Sequence, residues 1–218
     1  MTTFESSHDN DEGTLLVVAK APVPGRVKTR LTPQFTPQQA AALARAALQD
    51  TLDAVLATPA RRRVLYLDGA PRHWLPDGIE VVPQCAGGLD ARLAAAFGLY
   101  DGPALLIGMD TPQVTPELLA QGLDFTRTSA WFGPALDGGF WALGLAEPDP
   151  ALLLGVPMSV PHTGEVQRRR LTASGRAVRD LPALRDVDTP DDAALVAAAA
   201  APGTRFASLH AELCAAVR

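Results

Sequence analysis

The chain is poor in cysteine, has no long apolar run and carries no excess of positive charge. Its two cysteines, Cys85 and Cys214, are far apart, and there is no CxxC pair or Cys/His cluster. That pattern argues against a zinc centre and fits free thiols in a reducing cytosol. No apolar stretch approaches the length of a bilayer span. The opening segment MTTFESSHDNDEG has no basic region followed by an apolar one, so it does not read as a signal peptide. Residues 1–12 are expected to form a loose tail, and the protein is expected to be cytoplasmic. A formal net charge of −5 argues against a nucleic-acid or anionic-membrane partner, which would need a broad cationic surface. Two familiar phosphate-binding patterns are missing as well. Val27 stands before Lys28-Thr29 where a Walker loop needs glycine, and no GxGxxG follows the first apolar strand.

What is present is ordinary material for one folded unit over residues 13–218. The length is 218 residues, with 47% apolar and 20% charged side chains. Short runs rich in valine, leucine and isoleucine predict strands at Thr14–Lys20, 64–67, 79–82, 103–108, Ala130–Pro134, Phe140–Leu145 and, more weakly, 178–181. Between them lie helical patterns. The strongest starts at Thr36-Pro37, a cap followed by proline, and recurs through Leu43, Leu48, Leu52 and Val55 until Pro59. Further helices are predicted over 89–100, from Thr115-Pro116, over 163–174, from Asp188-Thr189-Pro190 and over 206–217, with a helical turn at 152–154. Strands alternating with helices imply an α/β fold: a mainly parallel sheet covered on both faces.

The most informative stretch is VVAKAPVPGRVKTRL, residues 17–31. An apolar strand breaks off at Lys20. Pro22, Pro24 and Gly25 then fix the path of a loop, and Arg26, Lys28 and Arg30 follow at alternate positions. An extended segment would put these three cations on one side. Cations at the carboxyl end of a strand are placed to hold phosphate. Asp110, just beyond the 103–108 strand, could hold a hard metal ion against a diphosphate or could turn the chain before Pro112. Asp188 could start a helix and still reach an ion. Asp137-Gly138-Gly139 reads as a tight turn between two strands. Gln84, Gly87 and Gly88 form a flexible entry to a helix, and Arg92 is expected to make a structural ion pair.

AKAPVPGRVKTRL, GMDTPQVTPELL, DGGFWALGL and DVDTPDD occur in that order. Together they resemble the DUF2064 family, a glycosyltransferase-like branch of the GT-A nucleotide-diphospho-sugar transferase superfamily. The resemblance spans roughly residues 14–196. It is similar, more distantly, to the nucleotidyltransferases that build molybdenum-cofactor dinucleotides and the coenzyme F420 precursor. It implies a three-layer α/β/α sandwich around a mainly parallel sheet. It also implies a transferase that takes a nucleotide or nucleotide-sugar donor and a small acceptor with Mg²⁺ or Mn²⁺. On this reading Lys20, Pro24, Gly25, Arg26, Lys28 and Arg30 surround the phosphates, with Lys28 also acting in catalysis. Gln84, Gly87 and Gly88 line the nucleotide, and Asp110 and Asp188 hold the metal. Asp137, Gly138, Gly139 and Trp141 face the sugar or acceptor, Asp137 orienting its hydroxyl or acting as base. Glycosyl transfer from a nucleotide sugar leads, nucleotidyl transfer with loss of pyrophosphate is the alternative, and a non-catalytic nucleotide-binding protein is the third reading. Asp186-Val187-Asp188 spells a DxD but comes too late in the chain to count as the glycosyltransferase motif. Met109, Thr111, Phe140 and Trp141 depart from the family pattern, which has serine, cysteine or serine, and two tyrosines at these places.

Overall fold

The computed structural model describes residues 13–32 and 34–216; the tail expected at residues 1–12 lies outside them. Seven strands form one sheet: β1 (Thr14–Lys20), β2 (Arg62–Asp68), β3 (Glu80–Pro83), β4 (Ala104–Gly108), β5 (Ala130–Pro134), β6 (Phe140–Leu145) and β7 (Val178–Asp180). Their spatial order is β3-β2-β1-β4-β6-β5-β7. Only β6 runs against the others, pairing antiparallel with both β4 and β5. All other pairings are parallel. The α/β expectation therefore holds.

β1 shows why the strands form where they do. Leu15, Leu16, Val17 and Ala19 are all buried, because a central parallel strand is covered on both faces and reads as a continuous apolar run. Leu15, Val17 and Ala19 face one layer, with α1 (Pro37–Ala57) and α3 (Pro116–Leu123). Leu16 faces the other, with α2 (Leu89–Phe97) and α4 (Thr163–Ala173). This alternation gives the three layers.

α1 begins as its sequence predicts. Gln39 N–H donates to Thr36 Oγ1 at 3.2 Å, and the Thr36 N–H donates back to Gln39 Oε1 at 2.8 Å. This reciprocal capping box satisfies two amides that a helix start leaves open. α1 also has an outer side. Ala40, Leu43 and Ala47 pack against Val196 of α5 (Pro190–Ala199) and Phe206 of α6 (Arg205–Ala215). α6 thus sits on α1 instead of on the sheet. Its first turn has no cap of its own. The buried carboxylate of Asp50, in the middle of α1, accepts hydrogen bonds from the backbone N–H of Arg205 at 3.0 Å and of Phe206 at 2.8 Å. A charge-assisted contact of this kind replaces a local cap.

Candidate active site

The carboxyl ends of β1 and β4, the turn between β5 and β6, and the segment entering α5 meet at one place. There Lys28 and Arg30 meet Asp110 and Asp188.

Beyond Lys20 the chain turns instead of extending. Arg26 N–H donates to Val23 O at 3.0 Å, Gly25 takes a φ of 75°, and Thr29–Leu31 wind a 3₁₀ turn. The one-sided alignment of Arg26, Lys28 and Arg30 is therefore not what forms. Val27 and Leu31 are buried as core residues. Lys20, Pro24, Gly25, Arg26 and Arg30 are exposed. Lys28 is different. It adopts a left-handed backbone, φ 48°, costly for a residue with a side chain and typical of functional loops. Its ammonium lies 2.9 Å from Asp110 Oδ2 and 3.0 Å from Asp188 Oδ1. Arg30 adds a looser contact, 3.5 Å from Asp188 Oδ2. Burial alone would lower the Lys28 ammonium, but Asp110 and Asp188 outweigh it and hold it above its ordinary value.

Other residues cap the neighbouring helices, so the two aspartates are not needed for that. Thr115 caps α3, accepting from Leu118 N–H. Thr189 and Asp192 cap α5 by a reciprocal box. Asp188 therefore does not start the helix, contrary to its mixed reading. The backbone of Val187 donates to Asp110 O at 2.9 Å, which fixes the spacing of Asp110 and Asp188.

Asp186 also belongs to the site, and the sequence reading passed over it. Val187 is buried in the core, and Asp186 and Asp188 flank it in an extended stretch, so both fall on the pocket side. The alternation around Val187 was the signal. One carboxylate oxygen of Asp186 is buried with no partner. Burial first, then the charges of Asp137 and Asp110, push its carboxyl up to about 7, against the pull of Lys28.

Asp137, Gly138 and Gly139 form the tight turn between β5 and β6, with Asp137 Oδ1 accepting from Gly139 N–H at 2.8 Å. Gly138 has φ 91°, and a Cβ there would lie 1.9 Å from Pro161 O. Its own carbonyl accepts from Gly164 N–H at 2.8 Å, which docks the turn on the first turn of α4. Trp141 is buried, with its indole N–H donating to Pro182 O at 3.0 Å; it contributes to the pocket wall as a packed ring. The Gln84 side chain holds the strand ends. Its amide donates to Ala19 O and Tyr66 O at 3.0 and 2.8 Å and accepts from Arg92. Gly87 and Gly88 lead into α2, where Gly88 is the N-cap. Arg92 makes the expected ion pair, 3.6 Å from Asp68.

A pocket of about 360 Å³ opens beside these groups. Asp110, Asp137, Asp186 and Asp188 line one end, and Val18, Leu93, Phe140 and Met158 are among the residues lining the rest. Two carboxylates converging on one cationic position suit a divalent ion. Among the described residues, no three His, Cys, Asp or Glu side chains form a metal-holding group. The protein would then supply two oxygens, with phosphate and water completing the shell, as is usual for Mg²⁺. No helix among the described residues is long and apolar enough to cross a membrane.

Comparison with known proteins adds the following. Residues 36–160 match the model of DUF2064, described as an uncharacterized protein conserved in bacteria. No curated protein matches the chain. A crystal structure from Desulfovibrio desulfuricans, provisionally described as a nucleotide-diphospho-sugar transferase, aligns with 26% identity and a TM-score of 0.81, covering 93% of this chain and 94% of that one. Rv0371c from Mycobacterium tuberculosis, solved as a complex with manganese, aligns with 23% identity and a TM-score of 0.51 over 84% and 96% of the two chains. The 2-C-methyl-D-erythritol 4-phosphate cytidylyltransferase of Thermus thermophilus shares the fold at 18% identity, TM-score 0.51, over 85% and 98%.

Proposed function

Since the chain belongs to the DUF2064 family, whose model covers more than half of it, we propose that it is a divalent-metal-dependent transferase acting on a nucleotide-activated donor. The observation that carries this reading is the convergence of Asp110 and Asp188 on one cation position beside the cationic loop. The exposed Lys20, Arg26 and Arg30 meet the donor phosphates, and Lys28 swings from the aspartates to join them. Gly87 and Gly88 offer backbone to the nucleotide. Mg²⁺ or Mn²⁺ on Asp110 and Asp188 would neutralise charge growing on the leaving group. The acceptor enters on the side of Asp137, Gly138, Gly139 and Trp141, and Asp137 orients its attacking hydroxyl.

Glycosyl transfer is the first reading, supported by the likeness to the Desulfovibrio protein. The acceptor oxygen attacks the anomeric carbon, the bond to the donor phosphate breaks, and a nucleoside diphosphate leaves. Nucleotidyl transfer is favoured by a different observation, the number of cations in one loop, which suits a triphosphate. There the acceptor attacks the α-phosphorus and pyrophosphate leaves. A melting-temperature panel of NTPs and nucleotide sugars, with and without Mn²⁺, tests the common reading, because a ligand of the native state raises the melting point. Metal-dependent stabilisation by at least one of them is expected. A flat panel would turn the reading toward a protein that kept the fold and lost the chemistry. Identification of the leaving product separates the two reactions.

A further inference from the structure

The pocket beside the aspartates has a one-sided chemistry. Among the described residues, every charged side chain that lines it is a carboxylate, Asp110, Asp137, Asp186 and Asp188, and no Lys, Arg or His lines it. The ammonium of Lys28 touches Asp110 and Asp188, leaving Asp137 and Asp186 without a basic partner among the described ion pairs. Two buried polar atoms at its wall, Asp186 Oδ1 and Thr111 Oγ1, have no hydrogen-bond partner, and Thr111 is only 1% exposed. Buried polar groups without partners are uncommon in native proteins and point to a ligand or water that completes them. Away from the aspartates the wall is apolar, with Val18, Leu89, Leu93, Phe140 and Met158. Such a pocket repels an anion, attracts a cation, and accepts hydrogen bonds from a neutral donor.

Resting on the transferase reading above, we propose that this pocket takes the acceptor, and that the acceptor is a molecule with an apolar body and a hydroxyl or amine head, carrying no phosphate or carboxylate. The head donates hydrogen bonds toward Asp137 and Asp186, and the body lies along Leu89, Leu93 and Met158. The donor phosphates, by contrast, stay on the cationic loop. The two substrates are thus sorted by charge into adjoining halves of one cleft.

Three probes share one body and differ in the head: 2-phenylethylamine, 2-phenylethanol and phenylacetate. Their affinities for the full chain are measured by ligand-observed NMR at pH 8 in metal-free buffer. The amine and the alcohol are expected to bind at least tenfold more tightly than phenylacetate. Met158→Trp, at a half-buried loop position, should weaken both at least fivefold by filling the apolar end. Asp137→Asn, at an exposed turn, should narrow the gap between amine and phenylacetate. Equal or tighter binding of phenylacetate would overturn the inference, as would failure of all three probes to bind or indifference to both substitutions. The same samples are melted with nucleotides and Mn²⁺. If that response is absent while the amine still binds, the transferase reading falls and the ligand class stands. If it is present while phenylacetate is preferred, only the acceptor assignment falls.

Discussion

Asp186→Asn removes one carboxylate from a crowded group and should stabilise the protein in a pH-dependent way. The Asp186 carboxyl is raised from 3.8 to about 7 in the folded protein by burial and by the charges of Asp137 and Asp110. In the unfolded chain it would titrate near its ordinary value. Between about pH 4 and pH 7 the native state therefore holds a proton that the unfolded state has released. Stability must fall as pH rises through that window, and the loss is complete above it. The displacement corresponds to about 4 kcal/mol at most, and partial access to water reduces it to about 2–3 kcal/mol. An amide of the same shape carries no charge and escapes this cost. Urea unfolding of both proteins at pH 5, 6, 7 and 8, with EDTA present, gives the comparison. The advantage of the Asn variant should be about a third of its full size at pH 5 and grow to about 2–3 kcal/mol at pH 8. Parallel curves across the whole range would refute the reasoning, since a purely steric or hydrogen-bonding effect would not follow proton release.

Three other substitutions examine separate parts of the site. Lys28→Met leaves Asp110 and Asp188 facing each other without the ammonium that now lies 2.9 and 3.0 Å from them. A loss of about 2–3 kcal/mol in urea unfolding is expected without metal, and on the proposed metal site Mn²⁺ should recover more stability in the variant than in the parent protein, because Lys28 and the ion would compete for one position. Equal responses to Mn²⁺ would count against a shared position. Gly138→Ala places a Cβ 1.9 Å from Pro161 O at a φ of 91°, so the Asp137 turn must shift on α4 at a cost of about 2–4 kcal/mol. Gly25→Ala, at a φ of 75° with nothing within 4 Å, isolates the backbone part and should cost only about 1–2 kcal/mol in the same assay.

The sequence was most readable where local physics decides the outcome. β1, β5 and β6 formed at the expected residues because their apolar runs need burial on both faces, and α1 began at Thr36 because its cap and the following proline act within one turn. Legibility failed where a side chain's role depends on remote partners. Asp50 looked like one residue of a helix interior, yet its carboxylate serves the first turn of α6. Gln84 looked like part of a loop, yet its amide joins the ends of β1 and β2, which only the sheet register reveals. The cationic loop around Lys28 was legible as a loop, but not the role of Lys28 as the counter-ion of Asp110 and Asp188. Asp186 was passed over because its raised carboxyl comes first from burial in the folded pocket and then from the charges of Asp137 and Asp110, distant in sequence.

The hydrogen bond from the Val187 amide to the Asp110 carbonyl has a consequence for how the protein becomes competent. It joins the end of β4 to a segment far along the chain, beyond the residues 36–160 that match the family model. Lys28 lies before that span and Asp188 after it. A nascent chain can build β1, β2, β3 and β4 and still lack the Lys28–Asp188 contact, because Asp188 has not yet returned. On the proposed function, a metal ion or donor bridging Asp110 and Asp188 would favour the finished topology over its precursors.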